Sequence, residues 1–190
     1  MQFNKHFDLE GQHAFLGASK YHWINYDLDK LKQTFTSSQA QLRGIEDHDF
    51  ARRCIERRQK LPRSKRTLNM FVNDAVGYQM TPEQILKYSE NCFGTADAIG
   101  FKNNILRIHD LKTGVTPASM HQLEIYASLF FLEYQNEYDI KPGSVDMELR
   151  IYQTDEILVY QPTADDILPI MDKIITFDKY IRKWKEEMAR

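Results

Sequence analysis

Five residues in three short pieces carry the chemistry of this chain. Asp97 closes Gly94-Thr95-Ala96-Asp97, Asp110 and Lys112 lie in Asp110-Leu111-Lys112-Thr113-Gly114, and Gln122 and Tyr126 lie in Gln122-Leu123-Glu124-Ile125-Tyr126-Ala127. In a strand, side chains alternate faces, so Asp110 and Lys112 point the same way. Two carboxylates with room for water make a hard, oxygen-rich site that suits Mg²⁺ or Mn²⁺. Such an ion polarises a phosphodiester and lowers the pKa of a bound water, which becomes the nucleophile. Lys112 would offset the charge that builds on the phosphate or position the water. Gln122 and Tyr126, four apart on a helix, share one face and would steady the lysine or a phosphate.

These residues need elements to hold them. The apolar runs at 93–101 and 105–112, separated by Lys102-Asn103-Asn104, predict a hairpin, which brings Asp97 beside Asp110. Helical spacing follows from Ser119 to about Gln135, with Leu123, Tyr126, Ala127 and Phe130 on one stripe. Lys141-Pro142-Gly143 is a turn, 147–153 and 156–161 read as two more strands, and 164–187 as a long amphipathic helix. Upstream, Ser19 is a candidate cap, a helix is expected over about 27–42, and Asp47 would cap a second one running to about Arg58, ended by Leu61-Pro62. Thr81-Pro82-Glu83-Gln84 resembles a capping box with Pro at the first helical position, predicting a short helix to about Ser89. The expected architecture is an α/β layer with a mixed sheet in one domain spanning 1–190: a helical part to about 90, a core over about 91–161 and the C-terminal helix.

Composition narrows the setting. The hydrophobic fraction of 42% suits a globular domain, and the net charge of −2 does not announce a nucleic-acid binder. The charge is uneven, however: residues 43–66 hold nine Lys/Arg against four acids. A local basic face is what phosphate contact needs, and Arg52, Arg53, Lys65 and Arg66 are the candidates for touching a DNA backbone. Tyr21 and Trp23 would either stack on a base or pack in the core. Two cysteines, Cys54 and Cys92, lie far apart and speak against a zinc site, an iron–sulfur cluster or a disulfide framework. The first residues show no leader pattern and no apolar run approaches membrane-spanning length, so a cytoplasmic protein with no membrane partner is expected. Glu90 is a further candidate carboxylate, whereas His109 falls on the strand face opposite Asp110 and is left out of the site.

The ordered set Asp97, Asp110-x-Lys112 and Gln122-x-x-x-Tyr126 resembles the PD-(D/E)XK nuclease superfamily, in particular its RecB-like and phage-type exonuclease branch. The family places a His in an early helix before these motifs, and His48 in Gly44-Ile45-Glu46-Asp47-His48 is similar to it. The match covers about 44–127, and His13–Trp23 looks like the entry segment of phage-type members. The resemblance implies a restriction-endonuclease-like core with a mixed central sheet flanked by helices. It implies that His48, Asp97, Asp110 and the Leu111 carbonyl bind Mg²⁺ or Mn²⁺, with Lys112 as the catalytic lysine. The adaptation nucleases of this branch carry an iron–sulfur cluster on four cysteines, which this chain cannot supply.

The function so implied is a metal-dependent deoxyribonuclease. An exonuclease or DNA-end processor is favoured over a site-specific enzyme, because no separate recognition element is evident. The alternatives are a structure-specific endonuclease and a non-cleaving DNA-end binder with a nuclease-like fold. The expected partner is DNA, single- or double-stranded, at its ends. The reading leaves open a homo-oligomer, a partner in phage replication or recombination and, for a phage-encoded chain, the host cytoplasm as its compartment.

Overall fold

The computed structural model describes Phe7, Gly11 and residues 13–189, and the residues 1–6 that were read for a leader lie outside the described ones. The chain divides into two compact units, Met1–Arg43 and Gly44–Arg190. In the first, a 3-10 stretch Ala18–Asn25 follows Gly17, which takes the capping place expected of Ser19. The Trp23 indole N–H donates to the Gly17 carbonyl at 3.0 Å, and Tyr21 is exposed with its ring 4.5 Å from that of His22. Helix α1, Leu28–Glu56, opens with the Asp27 carboxylate accepting the Lys30 N–H at 2.7 Å.

The two helices expected over 27–58 are therefore one. Gly44, the residue between them, is not a break. A Cβ there would lie 2.7 Å from Thr113 Oγ1, the end of an exposed side chain, so the helix passes close to the segment after β3 within the second unit. An interior glycine weakens a helix by only about 1 kcal/mol, which the neighbouring turns carry.

The second unit is α/β. Helix α2, Thr67–Gly77, precedes strands β1, Thr81–Ser89, β2, Cys92–Lys102, and β3, Ile105–Leu111. Helix α3, His121–Tyr138, leads to β4, Asp146–Gln153, β5, Glu156–Tyr160, and helix α4, Ala164–Met188. The five strands form one sheet in sequence order; β3 and β4 run parallel, with α3 between them in the chain, and every other neighbouring pair is antiparallel. This is the mixed sheet flanked by helices that the sequence predicts. The β2–β3 and β4–β5 turns have positive φ at both central residues, Asn103 (53°) and Asn104 (61°), then Thr154 (49°) and Asp155 (61°). Two successive residues in that region make the turn whose twist suits a hairpin.

Residues 81–89 are a strand, not the short helix that Thr81-Pro82-Glu83-Gln84 predicts. Only Leu86 and Ser89 of this segment are buried, so a helix would have almost no apolar face to dock. As an edge strand it pairs its backbone with β2 and buries Leu86 in the core, and an edge is where a sheet tolerates Pro82. Helix α2 was not foreseen, although Phe71, Val72, Ala75 and Val76 recur at helical spacing and are all buried. Its first N–H, at Thr67, donates to the Asp155 carboxylate at 2.8 Å, so the β4–β5 turn caps it.

Two apolar clusters sandwich the sheet. One holds Leu106, Ile108 and Leu149 against Leu123, Ala127 and Phe131 of α3 and Ile167 and Met171 of α4. The other holds Leu111 and Tyr152 against Phe71 and Val72 of α2 and Ala51, Cys54 and Ile55 of α1.

Candidate metal centre

The site forms at the end of β3, where residues from α1, β1, β2, β3 and α3 converge. Strand alternation should place Ala96 and Ala98 on one face. Instead Ala96 packs in the α3 cluster and Ala98 in the α2 cluster, so the alternation breaks at Asp97. Opposite, Glu83 on β1 has a φ of 48°, and the register passes from Pro82–Ala98 to Gln84–Ala96 without pairing Glu83 with Asp97. A local irregularity of this kind re-aims side chains beside functional sites. Here it leaves Asp97 and Glu83 beside His48 of α1. One potential ligand atom from each of these three residues lies within 4.8 Å of the others.

Asp97 is also tied to β3. Its Oδ2 accepts the Leu111 N–H at 2.8 Å and lies 3.5 Å from His48 Nδ1. On β3 itself, the Lys112 ammonium lies 2.9 Å from Asp110 Oδ2, donates to Asp110 Oδ1 at 3.1 Å, and donates to Gln122 Oε1 at 2.8 Å. Gln122 Nε2 in turn donates to the Tyr126 hydroxyl at 3.0 Å. The four side chains form one chain of contacts, and Gln122 and Tyr126 hold the lysine from α3. Close packing sets this geometry: a Cβ at Gly94 would lie 2.8 Å from Tyr126 Cε1, so the Tyr126 ring rests on the β2 backbone.

The electrostatics are those of crowded carboxylates. Burial, and then the neighbouring Asp97 charge, raises the Asp110 pKa, against the opposing pull of Lys112. Burial and Asp97 likewise raise that of Glu83. The hydrogen bond that Asp97 accepts raises the pKa of His48 against the effect of burial, and the charges of Asp97, Glu83 and Asp110 add to it. Each carboxylate would be relieved by a cation. The donor set is oxygen with one imidazole, which suits a hard divalent ion. Asp110 is buried, and its Oδ2 faces the Lys112 ammonium at 2.9 Å.

All five residues singled out for chemistry are thus together, with His48 beside them. Leu111, whose carbonyl the resemblance assigns to metal, is buried between Asp110 and Lys112. Glu83 was missed, because its segment reads as a helix start. Glu90, the further candidate carboxylate, is exposed in the β1–β2 turn. His109 faces the opposite cluster, as expected. Its Nδ1 lies 3.2 Å from the Tyr152 hydroxyl, which donates to Asp74 at 2.8 Å. Burial, helped by Arg150 and Arg107, holds the His109 pKa well below its usual value.

A cleft of about 230 Å³ opens beside Lys112, lined by residues 111–115, Thr67, Leu68, Asp47 and Thr154. Of the cations chosen for a DNA backbone, Arg52 pairs with Asp49 at 2.6 Å and with Glu56 at 2.8 Å, and Arg53 pairs with Asp49 at 2.9 Å. Lys65 and Arg66 are exposed in the loop before α2.

Among the described residues, no helix is long and apolar enough to cross a membrane. A family model described as "Protein of unknown function (DUF2800)" matches residues 68–187, a span that holds every residue of the site except His48. No curated protein and no solved structure matches the chain. On a match that covers well over half of its length, the chain belongs to the DUF2800 family.

Proposed function

We propose that the protein is a divalent-metal-dependent DNA nuclease of the PD-(D/E)XK type, acting as an exonuclease or DNA-end processor. One observation carries this reading: His48, Glu83, Asp97 and the buried Asp110 crowd together at the end of β3, beside a Lys112 ammonium held between Asp110 and Gln122. A lone structural ion pair has no need of further carboxylates crowded against it, whereas a site for a hard cation does.

Asp97, Asp110 and the Leu111 carbonyl would hold Mg²⁺ or Mn²⁺, with His48 and Glu83 at its side. The ion supplies Lewis acidity toward the phosphate and a more acidic water. Lys112 donates toward the attacking water or a phosphate oxygen, and its hydrogen bond to Gln122 fixes the direction of the ammonium. Tyr126 holds Gln122 in turn. DNA enters this reading through the resemblance of the motifs, and the exposed Lys65 and Arg66 are consistent with a phosphate backbone.

The test is incubation with Mg²⁺ or Mn²⁺ of linear DNA labelled at either end and of closed-circular DNA, using the wild type and Lys112→Ala. Metal-dependent loss of linear DNA alone, abolished by the substitution, is the expected result. The first label released gives the polarity. Cutting of the circle would turn the reading to an endonuclease. DNA binding with every substrate left intact would turn it to a non-cleaving end binder.

A further inference from the structure

The C-terminal helix carries a second surface, independent of the metal centre. Asp178 is the last buried residue of α4; from 179 to 189 only Ile181 is half-buried and the rest are exposed. Yet this stretch is not polar. Phe177, Tyr180 and Trp184 are 58%, 52% and 54% exposed and, with Ile181, form one open apolar face of the helix. The Tyr180 and Trp184 rings lie 6.0 Å apart. Among the described residues this stretch is tied down by polar contacts, Lys185 to Asn91 and Arg182 to Asp178, while its aromatic ridge stays exposed, and a contiguous ridge of that kind marks an interaction site.

The ridge is periodic. Ile170, Lys173, Phe177, Tyr180, Trp184 and Glu187 follow one another at alternating steps of three and four, the spacing of a coiled-coil seam. Its aromatic centre is flanked by a cation at the N-terminal end and an acid at the C-terminal end. A parallel partner of the same sequence would set Lys173 against Lys173 and Glu187 against Glu187. An antiparallel one brings Lys173 of each copy to Glu187 of the other, with the aromatic rings packed between. We propose that the C-terminal half of α4 is a homodimer interface, where the helix pairs antiparallel with α4 of a second copy of this chain. The contact is two-fold and closed, so the same patch serves both copies and no filament grows.

The experiment is sedimentation equilibrium on the full chain. The wild type is expected as a dimer and Trp184→Glu as a monomer, with an unchanged far-ultraviolet circular dichroism spectrum and thermal midpoint of the sheet unit. Lys173→Glu should weaken the dimer roughly tenfold or more by setting acid against Glu187, and adding Glu187→Lys should restore it. A wild type that stays monomeric at about 100 μM overturns the proposal. So does a double variant no tighter than the single one. Binding of the monomer to anionic phospholipid vesicles through Trp184 would assign the ridge to a lipid surface instead.

Discussion

The Asp97 carboxylate accepts the Leu111 N–H at 2.8 Å, and so a residue of β2 is fastened to the peptide unit that joins Asp110 to Leu111. The hydrogen bond spans the point where regular β2–β3 pairing stops, since the paired register runs only from Lys102–Ile105 to Ala98–His109. Asp97 therefore has two tasks: its charge serves the proposed metal, and its oxygen holds the strand end. Asp97→Asn separates them, because an amide oxygen still accepts the N–H. The variant should keep a thermal midpoint close to wild type while Mn²⁺ affinity, read by calorimetry, falls at least tenfold and nuclease activity falls about 100-fold or more. Unfolding of the variant would show that the carboxylate is needed for the fold itself.

Glu83 stands out because nothing in the motif pattern names it. Its φ of 48° is strained for a residue other than glycine or asparagine, and the strain presents its carboxylate to His48 and Asp97. Removing one anionic ligand weakens a hard-cation site, so Glu83→Gln should raise the Mn²⁺ dissociation constant about tenfold. Glu90→Gln, a few residues away in an exposed turn, should leave it unchanged. Equal affinities for both variants and the wild type would remove Glu83 from the centre.

The contrast between Glu83 and Lys112 shows what the sequence could and could not convey. Asp110, Lys112, Gln122 and Tyr126 were legible because their spacing fits the local geometry of one strand end and one helix. The hairpin was legible from Asn103-Asn104, and the C-terminal helix from its periodicity. Glu83 was hidden because Thr81-Pro82-Glu83-Gln84 obeys a helix-capping rule, while pairing with β2 and burial of Leu86 decide for a strand. Gly44 misled for a similar reason. It reads as the gap between two helices, yet it lies inside one, beside Thr113.

The two close-approach glycines should respond differently to alanine. At Gly94 the new methyl would meet Tyr126 Cε1 at 2.8 Å, and the ring belongs to α3, which is packed on the sheet. Overpacking there should destabilise by about 1–3 kcal/mol and displace the Tyr126 hydroxyl from Gln122, lowering activity beyond the stability loss. At Gly44 the obstacle is the hydroxyl of Thr113, an exposed side chain that is free to turn. Gly44→Ala also gains about 1 kcal/mol of helix propensity, so a neutral or slightly positive change is expected. Urea unfolding of both variants checks this, and a Gly94→Ala protein as stable as wild type would show that the Tyr126 ring yields.

Asp178 gives stability a defined pH dependence. Ser89 Oγ donates to its Oδ1 at 2.6 Å and Asn91 Nδ2 donates to the same oxygen at 2.8 Å, fastening α4 to the β1–β2 turn, while Arg182 Nε, one turn on in α4, reaches Oδ2 at 2.7 Å. These bonds, led by that from Ser89, lower its pKa below the ordinary 3.8. A carboxylate with a lowered folded-state pKa binds protons more readily when unfolded, so its contribution is complete above about pH 4 and is lost as pH falls through the folded value. Asp178→Asn keeps an acceptor for Ser89 but turns an N–H₂ toward Arg182, and it has no charge to titrate. The variant should unfold at lower urea than wild type at pH 7, and the gap should narrow steadily below pH 4. A gap that stays constant to pH 2.5, about a unit and a half below the ordinary carboxylate range, would mean that Asp178 acts through packing alone.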